Sequence, residues 1–217
     1  MKPEDIRSAL RFYFITDDAS ERFPAPEQVR VAIDAGATMI QYRNKSFSLE
    51  DYEEVEAIGR LCRERGVPFL VNDHVLLAKA VGADGVHVGQ DDAVPRLARR
   101  VMGAQAIVGV SVSTLAELER TDLAFCDYIG TGPTFPTGTK PDAKAVHGLD
   151  GLRDIVNLSP LPAVAIGGID PGNTPDCFAN GAAGVAVISC ITRADNPADA
   201  AGRMAAACGV PRRDGWG

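Results

Sequence analysis

What the chain lacks narrows the field before anything else. Its 217 residues include one tryptophan, three histidines and five cysteines. The cysteines (Cys62, Cys126, Cys177, Cys190, Cys208) are scattered, with no Cys-x-x-Cys pair. An odd, dispersed set argues against a disulfide framework and against a zinc site. His74, His87 and His147 show no ligand spacing, which argues against a transition-metal centre. No apolar run approaches the ~20 residues that a membrane span needs. Positions 1–11 carry charges throughout and have no apolar core of the secretion-signal kind. The expectation is therefore a cytoplasmic protein without a membrane partner. A net charge of −7 gives nucleic acid no electrostatic reason to bind. An anionic substrate would need a local basic patch or a metal ion. Two familiar signatures are missing as well: no Gly-x-Gly-x-x-Gly follows the first strand, and no Ser-His-Asp constellation stands out.

What is present is a repeating alternation of short apolar runs and helical segments. The composition, 46% hydrophobic and 24% charged, suits a globular protein. Strands are expected at 12–16, 38–42, 68–71, 85–88, 106–110, 128–129, 163–166 and 184–188. They are apolar, rich in β-branched residues and without polar alternation, as parallel strands buried on both faces should be. Between them, helical segments are expected at 26–36, 49–65, 75–80, 94–102, 114–124, 149–156, 175–180 and 197–208, with a short helix near Ile6 and Leu10. In the long second segment, Leu49, Tyr52, Val55 and Ile58 share a stripe and Gly66 stands past the end. Thr114 and Glu117 have capping-box spacing. About eight strand–helix units in one chain of this length point to a single (β/α)8 TIM barrel spanning 1–217, with a loose tail from 209. A doubly wound open sheet is the alternative architecture.

The polar residues collect just after the strands, and in a barrel those ends meet at one rim. Asp73 and Asp92 each follow a strand in neighbouring units, with Asp91 beside the second. Carboxylates on adjacent loops can share a Mg²⁺ that also holds phosphate oxygens; each aspartate taken alone could equally cap a helix. Gln41, Arg43 and Lys45 alternate, so all three can point one way. Arginine forks onto phosphate and lysine adds a point charge, although a solvated basic patch would look the same. Asn72 and Ser111 offer neutral hydrogen bonds. The stretch GTGPTFPTGTK at 130–140 combines open backbone, hydroxyls and Lys140, and is expected to be a long loop serving as a lid. Gly167 and Gly168 after the seventh strand, with Ile188 and Ser189 after the eighth, lie where barrels commonly bind phosphate. There glycine is expected to serve access more than turning. His87, inside a strand, reads as a packed histidine.

These segments, QYRNK (41–45), ND (72–73), GVHVGQDD (85–92), GVS (109–111), GTGPTFPTGTK (130–140), AIGGI (165–169) and VIS (187–189), closely resemble thiamine phosphate synthase in order and over almost the whole chain. The resemblance implies a (β/α)8 barrel. It also implies a reaction joining 4-amino-2-methyl-5-(diphosphooxymethyl)pyrimidine to a thiazole phosphate with release of pyrophosphate. It implies that Gln41, Tyr42, Arg43, Asn44, Lys45, Asn72, Ser111 and Lys140 contact the pyrimidine diphosphate. Arg43, Lys45, Ser111 and Lys140 would be the catalytic members. Asp73 and Asp92 would ligate Mg²⁺, and Thr137, Gly138, Thr139, Gly168, Ile188 and Ser189 would hold the thiazole phosphate. The chain departs from the family pattern at Tyr42, Asn44 and His74, where leucine, glutamate and arginine are usual. Small molecules are the expected partners, and a homo-oligomer is compatible. Two other readings stand beside this one: a thiazole tautomerase of the same fold, and a non-catalytic thiamine-responsive binding protein. Neither needs a metal pair together with three cations.

Overall fold

The computed structural model describes residues 3–20, 23–139 and 145–213. Among these, eight parallel strands close into a barrel in sequence order. They are β1 (Phe12–Ile15), β2 (Met39–Tyr42), β3 (Phe69–Asn72), β4 (Gly85–Val88), β5 (Ile107–Ser111), β6 (Tyr128–Thr131), β7 (Ala163–Ile166) and β8 (Gly184–Val187). Closure comes from β1 pairing with β8, Tyr13 opposite Ala186. The helices are α1 (Pro3–Ala9), α2 (Ala25–Ala35), α3 (Tyr52–Arg65), α4 (Val75–Ala80), α5 (Pro95–Met102), α6 (Leu115–Arg120), α7 (Gly148–Leu158), α8 (Thr174–Ala179), α9 (Ser189–Thr192) and α10 (Pro197–Cys208).

Because successive strand residues point to opposite faces, each strand feeds two cores. Outward residues such as Phe14, Ile40, Val71, Val86 and Val108 pack under the helices. Inward residues, among them Tyr13, Met39, Leu70, Ile107, Tyr128 and Val164, fill the barrel. Helix α1 stops the N-terminal end of that interior: Ile6, Ala9 and Leu10 belong to the same buried cluster. The chain then presses against β8 so closely that a Cβ at Gly184 would lie 1.6 Å from the Leu10 carbonyl oxygen.

Several boundaries differ from expectation for local reasons. The helix expected over 49–65 is two pieces. A capping box between Ser48 and Asp51 tightens Leu49–Asp51 into a 3₁₀ turn before α3 begins. This turn leaves Leu49 86% exposed, off the buried stripe formed by Val55, Ile58 and Cys62. Helix α6 stops at Arg120, four residues early, and a 3₁₀ turn (Leu123–Phe125) fills the gap. Thr114 does cap α6, its hydroxyl accepting from the Glu117 amide. Glu117 itself reaches the Ser113 amide, one residue beyond the box position. The one-turn helix α9 carries too few residues for any periodicity and was not foreseen. The expected loose tail is tied down in its described part: Arg213 donates to the Arg65 carbonyl at 2.6 Å and the Pro211 carbonyl lies against Gly36.

Replacing Gly184 by alanine should drive a methyl group into backbone that cannot retreat. A loss of at least ~1–3 kcal/mol is expected, read as a lower urea midpoint with an unchanged slope.

Candidate active site

A cavity of about 310 Å³ opens at the C-terminal ends of the strands. Its walls carry Arg43 and Lys45 after β2, Asn72 and Asp73 at β3, and Asp92 after β4. Ser111 at the end of β5 and Thr137, Thr139, Gly168 and Ser189 complete the opposite side. Residues scattered over most of the sequence thus share one space of ligand size.

Its basic side is held in place from β1, a contribution that the sequence did not disclose. Asp18 accepts from Arg43 Nη1 at 3.2 Å and from the Lys45 backbone amide at 2.7 Å. Thr16 clasps the same turn, its hydroxyl accepting from the Arg43 amide. Arg43 is only 6% exposed, and its Nε has no hydrogen-bond partner among the described residues. An unsatisfied charged donor in a buried place is costly, and an anion entering the cavity would relieve it. The Asp17–Asp18 pair after β1 was visible in the sequence, but nothing there indicated what it would hold.

Asp73 has φ +61, the left-handed region that non-glycine residues seldom occupy. Its Oδ2 accepts from Lys45 Nζ at 2.5 Å and from Asn72 Nδ2 at 2.6 Å. Asp92 accepts from the Gly89 amide. Its pKa is raised, first by partial burial and then by Asp73 through hydrogen bonding and charge. The two carboxylates line the same cavity, near enough for the charge of one to act on the other. The donor set fits a hard divalent cation: two oxygen ligands from protein, with the remaining positions open to water and phosphate. Among the described residues, no group of three or more His, Cys, Asp or Glu could hold a metal.

On the other side, the segment after β6 reaches across to β8. Thr139 and Ser189 hydroxyls are 2.9 Å apart, and the Thr139 amide donates to Thr137 Oγ1. Gly167 and Gly168 have φ of +94 and +64. A Cβ on Gly168 would lie 2.5 Å from the Pro136 carbonyl oxygen, and one on Gly167 would meet Pro133. Both glycines are thus required for turning and for close packing of this segment, and the expectation that they serve access more than turning is corrected.

Other expected members sit elsewhere. Gln41 does point inward, but one layer below the cavity, where it is 2% exposed and donates to the Tyr13 hydroxyl. Tyr42 faces outward into the helical core, and Asn44 joins Tyr42 and Asp51 in the loop after β2. Neither is on the cavity wall, because alternation sends even positions of this strand away from the interior. Gly138 is off the wall as well. His74 is exposed beside Phe47. Gly130 and Thr131 belong to β6, so the loop starts two residues later than expected. Lys140 lies outside the described residues. Gln90, which no motif argument singled out, lines the cavity and donates to the Ser111 carbonyl at 2.7 Å.

Residues 12–191 match the family model described as thiamine monophosphate synthase. The chain is 45% identical over 202 residues to a thiamine-phosphate synthase of Chloroflexus aurantiacus, spanning 92% of this chain and 93% of that one. It is 43% identical over 209 residues to a thiamine-phosphate synthase of Geobacillus thermodenitrificans, covering 94% of both chains. Among solved structures, thiamine phosphate pyrophosphorylase from Pyrococcus furiosus superimposes with a TM-score of 0.86 at 38% identity, over 94% of this chain and 98% of that one.

The crowded carboxylates give a direct consequence for stability. A folded-state pKa raised above its ordinary 3.8 means that folding favours the protonated form of Asp92. Stability from this group is therefore greatest below 3.8, falls as pH rises to the folded value, and stays low above it. At neutral pH without divalent cations, Asp92→Asn should raise the thermal midpoint by roughly one to four degrees. The gain should shrink on acidification. Added MgCl₂ should raise the midpoint of the parent protein more than that of the variant.

Proposed function

The chain belongs to the thiamine monophosphate synthase family and is a transferase, and from that premise we propose that its cavity joins a pyrimidine diphosphate to a thiazole phosphate. The substrates would be 4-amino-2-methyl-5-(diphosphooxymethyl)pyrimidine and a 4-methylthiazole bearing a phosphoethyl arm, and the products thiamine phosphate and pyrophosphate. The observation that carries this reading is the buried Arg43 guanidinium, fixed by Asp18 with its Nε unpartnered among the described residues, on the cavity lined also by Asp73 and Asp92. A cation with a spare donor next to crowded carboxylates is the arrangement a metal-bound diphosphate would satisfy.

Asp73 and Asp92 would hold Mg²⁺, which when bound supplies charge neutralisation on the diphosphate oxygens. Arg43 would fork onto those oxygens, and Lys45, already drawn to Asp73, would add a second cation. Lys140 is assigned to the same diphosphate from its motif. Asn72 and Ser111 would orient the aminopyrimidine, whose ring can delocalise positive charge as the carbon–oxygen bond breaks. No protein nucleophile is needed for such a dissociative substitution. Thr137, Thr139 and Ser189, with backbone amides at Gly168 and Ser189, would fix the thiazole phosphate, in the place where barrels commonly bind this group after strands seven and eight. Alignment of the thiazole nitrogen with the reacting carbon can then contribute up to ~7–11 kcal/mol. The bond that forms is carbon–nitrogen, the bond that breaks is carbon–oxygen, and the electron pair leaves with pyrophosphate. No helix among the described residues is long and apolar enough to cross a membrane, and the same reading places the enzyme in the cytoplasm.

Purified protein given both substrates should release pyrophosphate and thiamine phosphate with Mg²⁺ and neither after chelation. Isomerised thiazole without pyrophosphate would instead mark a tautomerase, and binding without turnover would mark a sensor. Arg43→Lys, which keeps the charge but not the fork, should lower kcat/KM for the diphosphate by roughly ten- to a hundredfold.

A further inference from the structure

The barrel interior below the cavity contains a line of polar side chains of which the proposed chemistry uses only the last, Ser111. Gln41 Nε2 donates to the Tyr13 hydroxyl at 2.6 Å. The Tyr13 and Tyr128 hydroxyls are 2.9 Å apart, Tyr128 is 2.9 Å from His87 Nδ1, and His87 Nε2 is 2.9 Å from Ser111 Oγ. The line crosses β2, β1, β6, β4 and β5 and ends on a residue of the cavity wall. We propose that His87 is a positioning residue: through this line it fixes the Ser111 hydroxyl as a donor aimed into the cavity.

The direction follows from counting protons. An amide nitrogen can only donate, so Tyr13 must accept from Gln41. The Tyr13 proton then goes to the Tyr128 oxygen and the Tyr128 proton to His87 Nδ1. That leaves His87 in the tautomer protonated at Nε2, which donates to Ser111 Oγ. The Ser111 proton is consequently turned away from His87, toward the space that Ser111 lines. In the opposite direction Tyr13 would receive two donors, and its own proton would find no acceptor in the line. Hydrogen bonds aligned head to tail in a buried place also strengthen one another.

Neighbouring strands make room for this arrangement. A Cβ on Gly109 would lie 2.4 Å from the Tyr128 hydroxyl, and one on Gly130 would lie 3.1 Å from His87 Cε1. Two strands thus forgo side chains so that a phenol and an imidazole can stand in the interior. Ser111 is fixed from the other side, its carbonyl accepting from Gln90. A serine committed as donor selects a heterocycle that presents an acceptor there, such as an sp² ring nitrogen, and disfavours one that presents an N–H. This inference rests on the synthase reading for its substrate, but the tautomer it requires does not.

The test has two arms. In the folded, ligand-free protein, ¹⁵N imidazole shifts should show His87 protonated at Nε2 and bare at Nδ1; the reverse tautomer would overturn the proposal whether or not the protein turns over. In steady-state kinetics, His87→Phe should lower kcat/KM for the pyrimidine diphosphate by roughly tenfold, the order of one hydrogen bond, and leave KM for the thiazole phosphate within about twofold. In a Ser111→Ala background the same change should have little further effect; independent, additive losses would refute action through Ser111. If the phenylalanine variant does not fold, His87→Gln, whose amide reaches toward the Nε2 position, should keep more pyrimidine specificity than His87→Asn. The opposite ranking would also refute it. Absence of turnover in the parent protein would sink the synthase reading instead.

Discussion

Two like charges held together at the end of a barrel are the constraint on which this site depends. Asp73 and Asp92 line the same cavity, and each carboxylate is held by its own contacts. Asp73 is carried on a left-handed residue at the end of β3, directly beside β4, and Asp92 is tethered to Gly89 by its own carboxylate. Lys45 relieves part of the repulsion from an exposed position, where such a pair stabilises little. The remainder is stored as a demand for positive charge, in a protein whose overall charge is negative.

On the same side of the cavity as this acidic pair stands a cation prepared in the converse way. Arg43, just past β2, is buried and steadied by Asp18, yet keeps a donor unspent among the described residues. An acidic centre waiting for a cation and a basic one waiting for an anion lie on one wall. A metal-bound diphosphate, the substrate form proposed above, would answer both at once.

The barrel and the outline of the rim were legible in the sequence; the third dimension of the rim was not. Short β-branched runs ending in Asn72–Asp73, Ser111 and Gly167–Gly168 announced buried parallel strands and the end at which chemistry would gather. Spacing could not say how deep each side chain sits. Gln41 and Arg43 share a face, yet two residues of strand rise put one in the interior and the other on the cavity wall. Tyr42 and Asn44 lay inside a matching motif, but alternation sends them into packing and loop structure. Asp18 and Gln90 were missed for the opposite reason: they matter through what they hold, and holding is a distance that no spacing encodes. Leu49 was misplaced because a capping box can convert the first turn of an apparent helix into something tighter.

The stopper formed by α1 has a bearing on fidelity. Ile6 and Leu10, 4% and 0% exposed, plug the end of the barrel remote from the rim. Bulk water therefore meets the interior from the rim, where the proposed thiazole would stand in its path. In the proposed reaction, a leaky base would admit water as a competing nucleophile and divert the electrophilic carbon to the alcohol. On the synthase reading proposed above, a segment remote from the rim would thus guard the yield of the coupling against hydrolysis.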